Sequence, residues 1–466
     1  MNGIALHDWS ARELAARVAA GGLRAVDVAR YFIDRVERLN PGLNALVQFE
    51  PQQVIDEAET VDRRIAAGEV LPMAGVPFTV KDNLWVAGRR IAQGSRLFED
   101  FVAPRDAWAV ARLRALGAVV LGITNCSEFA CKGVTSNLLY GTTRHPMDPS
   151  LTPGGSSGGA VAALASGLGL LALGTDAGGS TRRPAAHCGL VGFRPSPGLI
   201  PHPWGFAEPN FGLSVIGPMA RNVADCAWLY DHLLAYDAGD PAGVPIAAGL
   251  DALPALDAPL PPELRVAWSP HLGCDFAVDD DVLAALQRRV DALRAAGWQI
   301  VDADPPWPVE AREYPLMALQ VAGLHALYGR QLADDRTRID PVLAVQIELG
   351  AQVTPADVAH ALRLKERIGA SLSRFFESFD VLLCPTTPVT AWPLDQLGPP
   401  VIGGRPAGPR GHAAFTPLFN YCGVPACSVP AGLVRGLPVG LQVVAPRYED
   451  ARVLQCARGI EALGDA

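Results

Sequence analysis

The chain has 466 residues, 49% of them hydrophobic and 19% charged, with a formal net charge of −9. This is an ordinary globular composition, long enough for one large core or for two or three domains. The acidic balance argues against nucleic acid as a direct partner, because such binding draws on a basic surface. The opening residues, MNGIALHDWSARELAARVAA, lack a basic stretch followed by an apolar core, so no signal peptide is expected. The longest apolar run, roughly 160–174, is broken by glycines and is too short for a bilayer. Nine scattered cysteines, an odd number, fit reduced thiols and a cytoplasmic location better than a disulfide framework. Of the 39 basic residues only Lys81, Lys132 and Lys365 are lysines, which raises the question of what an amine does there that a guanidinium would not.

In chain order, residues 10 to 68 carry helical periodicity, with a break expected at Pro41 and Gly42. VPFTVKD, 76–82, alternates apolar and polar and predicts a strand that ends near Lys81. DAWAVARLRALGAVVLGITN predicts a helix followed by a buried strand. A long polar and glycine-rich stretch runs from Asn125 to Gly159, then come the small-residue helix AVAALASGL and a second buried strand, LLALGTD. The segment 237–263 is rich in Pro, Gly and Ala and reads as a connection. After it LRVAWS, the helix DDDVLAALQRRVDALRAAG (279–297) and WQIVDAD make another β-α-β unit; 309–376 is mainly helical and DVLLCP is one more buried strand. Helices alternating with short apolar strands predict an α/β fold, a single large domain with a central mixed sheet covered by helices on both faces. Within 1–466 the expected parts are a helical N-terminal layer (1–68), a catalytic core (69–236), the connection (237–263) and a C-terminal α/β part (264–466) whose 309–376 region borders a substrate pocket.

PGGSSGGA, 153–160, requires a backbone shape that other residues do not take. A phosphate loop would need Lys then Ser or Thr after its second glycine, and neither is present. Gly155 to Gly159 matches G-x-S-x-G, but three prolines precede it where a nucleophile elbow needs a strand. Read alone, Ser156 or Ser157 is a helix cap. Ser180, 24 residues after Ser156, follows the strand LLALGTD, and ligand sites in open α/β sheets lie beyond the carboxyl ends of strands. The glycines before it allow successive N–H groups to converge as an oxyanion hole. A serine nucleophile needs a base. His145 and His187 are near in sequence but lie in no motif that pairs them with an acid, whereas lysine shifts its pKa readily when buried, which makes Lys81 the candidate. The pairs Cys126/Cys131 and Cys422/Cys427 lack tight spacing and nearby histidine, so they read as buried apolar residues, with Cys126 as a nitrilase-type nucleophile the minor alternative.

VPFTVKDN, TPGGSSGGAVAALASG and LGTDAGGSTRRPAAHCGLVGFRPS together resemble the amidase signature family, and the likeness continues through GAVVLGITNCSEFA, YGTTRHPMD, FNYCGVPACSVPAG and GLPVGLQVVAPRYED. It covers nearly the whole chain. The resemblance implies Lys81 as base, Ser156 as a bridging serine after a cis peptide, and Ser180 as the acylated nucleophile. It also implies an oxyanion hole from the N–H groups of Ala177, Gly178, Gly179 and Ser180. Ser157 would fix Lys81 or cap the helix, and Asp176 and Arg182 would organise the loop. Arg183, three residues beyond the nucleophile, is a candidate to bind a substrate carboxylate. Ile123 and Thr181 depart from the family's usual residues without touching the triad. The implied activity is hydrolysis of a linear carboxamide, with a glutaminase subunit of a tRNA-dependent amidotransferase and a urea-derivative hydrolase as alternatives. No cofactor, metal, membrane or direct nucleic-acid partner is expected; a homodimer or a small accessory subunit stays open. Outside the family, the competing class is a nucleotide-binding module, which nucleotide titration separates.

Overall fold

The computed structural model describes residues 5–247, 249–312 and 317–464. Expectations that fall on 1–4, 248, 313–316 and 465–466 lie outside the described residues. Eleven strands form one mixed sheet. Its order is Leu46–Gln48, Val119–Thr124, Pro77–Lys81, Leu171–Asp176, Val215–Ala220, Val191–Arg194, Ala426–Val434, Leu437–Val444, Val381–Pro385, Val266–Trp268 and Ile300–Asp302. Pro77–Lys81 runs parallel to both Val119–Thr124 and Leu171–Asp176, so the carboxyl ends of all three open on one side. The middle of the sheet is antiparallel, and parallel pairing returns at Val266–Trp268.

Every residue of Pro77–Lys81, Val119–Thr124 and Leu171–Asp176 is buried. Strands buried on both faces read as near-continuous apolar runs, which is what AVVLGIT and LLALGTD display. In VPFTVKD the alternation is real, but its polar positions Thr79 and Lys81 face a second covered layer rather than water. The helices that supply the cover include Ala25–Leu43, Pro51–Ala66, Gly158–Ala165, Val223–Leu233, Asp280–Ala295 and Asp450–Ala462. The whole sheet shares one apolar core.

Two local expectations change. The break placed at Pro41 and Gly42 falls later: Pro41 sits in the last turn of Ala25–Leu43, and the chain turns at Asn44, a left-handed residue at φ 51°. A proline near a helix end removes one of the last amide bonds without breaking the earlier turns. The chain then adds the three-residue strand Leu46–Gln48 to the sheet's edge, too short a run to show any period. The 237–263 connection is mostly irregular, with one short 3₁₀ turn at Leu253–Ala255. The 309–376 region holds the helices Met317–Asp334, Pro341–Gly350 and Pro355–Phe375. No helix among the described residues is long and apolar enough to cross a membrane.

Candidate active site

The site forms where two parallel strands end side by side. Lys81 is the last residue of its strand and is fully buried. Its Nζ donates to the Ser156 hydroxyl at 2.7 Å and to the Thr175 hydroxyl at 3.0 Å. Asn83 Nδ2 donates to the same Thr175 oxygen at 2.9 Å, which fixes the threonine between them. Burial pushes the Lys81 ammonium down to about 8, and the charge of Arg183 adds to this, while Cys126 and Asp176 oppose it. Ser156 is itself buried and follows a cis Gly155–Ser156 peptide bond. The Ser157 amide donates to the Ser180 carbonyl at 3.3 Å, so the two serine loops are bonded through their backbones. Among the described residues no hydrogen bond joins the Ser156 and Ser180 hydroxyls.

The turn after Leu171–Asp176 is built around Asp176. Its carboxylate accepts from the Gly179 amide at 2.7 Å, the Thr181 amide at 3.2 Å and Asn420 Nδ2 at 2.8 Å. The Arg182 guanidinium donates to it from Nε at 3.0 Å and Nη2 at 2.9 Å. Burial alone would raise the Asp176 pKa, but Arg182 and Arg194 beside it hold the carboxyl far below the usual range. Arg182 then reaches Gln442 Oε1 at 2.6 Å and Asn420 Oδ1 at 2.6 Å, so the loop is clamped from the C-terminal half of the chain. Gly179 adopts φ 107°, and a Cβ there would overlap the Thr416 hydroxyl, which itself donates to the Gly178 carbonyl at 2.8 Å. Only glycine fits that position.

Two expected roles need correction. The Gly179 N–H is committed to Asp176, so the amides left from the expected oxyanion set are those of Ala177, Gly178 and Ser180. Ser157 neither touches Lys81 nor caps the helix Gly158–Ala165, although it stands at the N-cap position. Among the described residues its hydroxyl has no hydrogen-bond partner, and it packs against Gly174. The amide of Gly158 is satisfied by Thr135 Oγ1 at 2.9 Å instead. Thr175 holds the place at Lys81 that Ser157 was expected to take. Thr175 lies in LGTD beside the expected nucleophile loop, so its sequence neighbourhood offered a signal. Asn420 and Gln442 lie in FNYCGVPACSVPAG and GLPVGLQVVAPRYED, which carried the family likeness but no role, and Thr135 carried no signal.

A cavity of about 100 Å³ opens at Ser180 beside Ala177 and Gly178. Its walls come from 130–133, from Asn210 and Leu213, from Leu319, Gln320, Val342 and Gln346, and from 397–413. The third group falls in the 309–376 region expected to border the pocket; the fourth wall, which brings Arg410 and His412, has no local motif. Arg183 lines the cavity and is 7% exposed, with Nη2 3.5 Å from the Gly155 carbonyl. Cys126 is buried and desolvation pushes its thiol far up, which disfavours the thiolate a cysteine nucleophile needs. His145 and His187 are buried, the first hydrogen-bonded to the His187 carbonyl and the second edge-on to Trp392, with burial lowering both pKa values.

A mixed sheet that buries an amine against a serine beside a glycine-rich turn defines an amide-cleaving hydrolase. The chain belongs to the Amidase family, whose model matches residues 27–454. It is 37% identical to the A subunit of the glutamyl-tRNA(Gln) amidotransferase of Thermus thermophilus, over 97% of this chain and 96% of that one. It is also 37% identical to an acylamidase of Rhodococcus erythropolis, over 98% and 96%. Among solved structures, a bacterial aryl acylamidase of the amidase signature family superposes with a TM-score of 0.90 at 27% identity, covering 98% of this chain and 96% of that one.

Proposed function

We propose that this chain hydrolyses a linear carboxamide to a carboxylate and ammonia or an amine, through an acyl-enzyme on Ser180 with Ser156 and Lys81 as the proton relay. The observation that carries the reading is the fully buried Lys81 amine, 2.7 Å from the Ser156 hydroxyl and depressed to about 8. A neutral amine has a lone pair, so the Ser156 hydroxyl then donates to Nζ and is free to accept the Ser180 proton. Ser180 Oγ attacks the carbonyl carbon, and the developing oxyanion lies among the amides of Ala177, Gly178 and Ser180. The relay runs backward to protonate the leaving nitrogen, the C–N bond breaks, and water attacks the acyl-enzyme by the same route. Asp176 and Arg182 hold the turn rigid and take no proton. Arg183 is the candidate contact for a carboxylate on the acyl side, where a guanidinium can bind bidentately.

The equal identity to the A subunit of an amidotransferase supports a second reading, in which glutamine is the amide and ammonia passes to a partner protein. A urea derivative is the remaining alternative within the same chemistry. A panel of alkyl and aryl amides, glutamine and urea derivatives, run beside Ser180→Ala, decides among them. Turnover of simple amides by the chain alone supports the hydrolase. Turnover of glutamine only, and only with added subunits, supports the second reading. An adduct of a fluorophosphonate on Ser156 or Cys126 instead of Ser180 would overturn the nucleophile.

A further inference from the structure

The helices Met317–Asp334 and Pro341–Gly350 pack against each other and supply one wall of the cavity. Much of their apolar face lies outside the sheet's core: Leu324, Tyr328, Leu332, Leu343 and Ile347 cluster separately with Phe129 and Cys131. This pair of helices meets the catalytic half at loop 128–133, and also at Leu97, Phe98 and Pro209. The loop is an unusual partner, because Phe129 and Ala130 are consecutive non-glycine residues at φ 51° and 59°. Such a backbone persists only where its surroundings over-determine it. Contacts that do so come from both sides: the Phe129 amide donates to the Gln93 carbonyl at 2.9 Å, and the helices add several more. Phe129 stacks on Tyr328 at 3.9 Å with planes 10° apart, and the Asp340 amide donates to Glu128 Oε2 at 2.7 Å. Lys132 Nζ donates to Asp340 Oδ2 at 2.5 Å and to Ser136 Oγ at 3.1 Å. Both side chains of this ion pair are buried, at 4% and 9% exposure. Asp340 Oδ1 meanwhile accepts the Val342 amide and caps the second helix. One carboxylate thus starts the helix and holds the loop.

We propose that Lys132 and Asp340 are positioning residues that lock loop 128–133 to the helical wall, and so set the shape of the acyl-binding cavity rather than the chemistry at Ser180. The inference rests on Ser180 being the nucleophile. A buried ion pair suits this role, because it adds little net stability, yet removing one partner strands the other charge and forces the wall to shift. It also accounts for one of the three lysines, since a compact ammonium can serve a carboxylate and a hydroxyl at once where a planar fork demands more room.

Saturation labelling of Ser180 by an alkyl fluorophosphonate separates binding from chemistry without requiring the natural amide. In Lys132→Met and in Asp340→Asn, which keeps the helix cap, the half-saturating concentration should rise about tenfold while the maximal labelling rate stays within about threefold. The double variant strands neither member of the pair, and Glu128 beside it, pushed up to about 7 by burial, can take a proton. The double variant should therefore bind within about threefold of wild type, better than either single variant. A double variant as impaired as Lys132→Met would mean that the ammonium contacts the ligand itself, which overturns the proposal. So would wild-type binding in all three variants, or a loss confined to the maximal rate. If Lys132→Met does not fold, Lys132→Gln replaces it in the same cycle, and thermal unfolding checks each protein. Absence of labelling at Ser180 in the wild type would instead remove the nucleophile assignment, and this inference with it.

Discussion

The strand-end half of the site and the helical wall opposite it are held together in different ways. Around Asp176 the partners are themselves held: Arg182 bridges to Gln442 and Asn420, Asn420 returns to Asp176, and Arg194 Nη1 donates to the Asp176 carbonyl at 2.5 Å. Such a closed polar network in low dielectric fixes the turn that carries Ser180. The wall of Met317–Asp334 and Pro341–Gly350 has its own small apolar cluster and one buried ion pair to the catalytic half. The rigid half suits a reaction whose atoms must meet within tenths of an ångström. On the proposed function, the second half is the part that could be rebuilt for another acyl group without disturbing that geometry.

The strongest way to break the comparison is to remove chemistry without moving the frame. Ser180→Ala and Lys81→Arg should each lower kcat/KM by more than about 10⁴, with near-UV circular dichroism unchanged. Lys81→Arg is the sharper of the two, because guanidinium keeps its charge and its proton. Retention of most of the activity in Lys81→Arg would require a different base. Next in size is the frame itself. Arg182→Met leaves the fully buried Asp176 carboxylate without its main counter-charge and should lose about 3–5 kcal/mol in urea unfolding.

The third expectation is a pH profile. With its pKa near 8, Lys81 is protonated and inactive at lower pH, so kcat/KM should climb about tenfold per unit below about 8 and level off above it. The same shift sets a sign for stability. An unfolded lysine titrates near 10.5, so between about 8 and 10.5 the unfolded chain holds a proton that the folded chain has released. The contribution of this group is complete above that window and is lost as pH falls through it. Unfolding of wild type and Lys81→Met compared at pH 8 and pH 10 measures the difference; a pH-independent gap would contradict a depressed Lys81.

What the sequence disclosed follows the same division. The lone lysine at a strand end, the glycine-flanked serines and the apolar strands are local signals, and they delivered the buried strands and the Lys81–Ser156 contact at their ends. The contacts that organise those residues are mostly remote. Asn420 and Gln442 meet Asp176 and Arg182 from more than 230 positions away, and Lys132 meets Asp340 from 208 away. No period or spacing encodes such a pair. Thr135 took the helix-capping role from Ser157 for the same reason: the sequence shows which residue precedes a helix, not which loop packs across its end. Leu46–Gln48 escaped because three residues carry no alternation.

Arg183 tests the boundary between the two halves, since it belongs to the helix Arg182–Cys188 of the rigid turn yet lines the cavity. If it holds a substrate carboxylate, Arg183→Ala should raise KM for carboxylate-bearing amides about tenfold more than for neutral amides of equal length, with kcat affected less. Equal effects on both classes would assign Arg183 to the frame alone.

The smallest effect concerns Ser157. Its hydroxyl is buried, has no partner among the described residues, and lies against Gly174. A buried hydroxyl that makes no hydrogen bond has lost its water and gained nothing in return, whereas a methyl group at that place needs neither. Ser157→Ala should therefore leave thermal stability unchanged or raise it by up to about 1 kcal/mol. Ser156→Ala, one residue away, removes one of the two hydroxyls that accept from Lys81, leaving Thr175 alone, and should do the reverse. Two adjacent serines with opposite responses in thermal unfolding would show that the turn uses one hydroxyl and merely accommodates the other. A loss of more than about 1 kcal/mol in Ser157→Ala would restore a structural role to its hydroxyl.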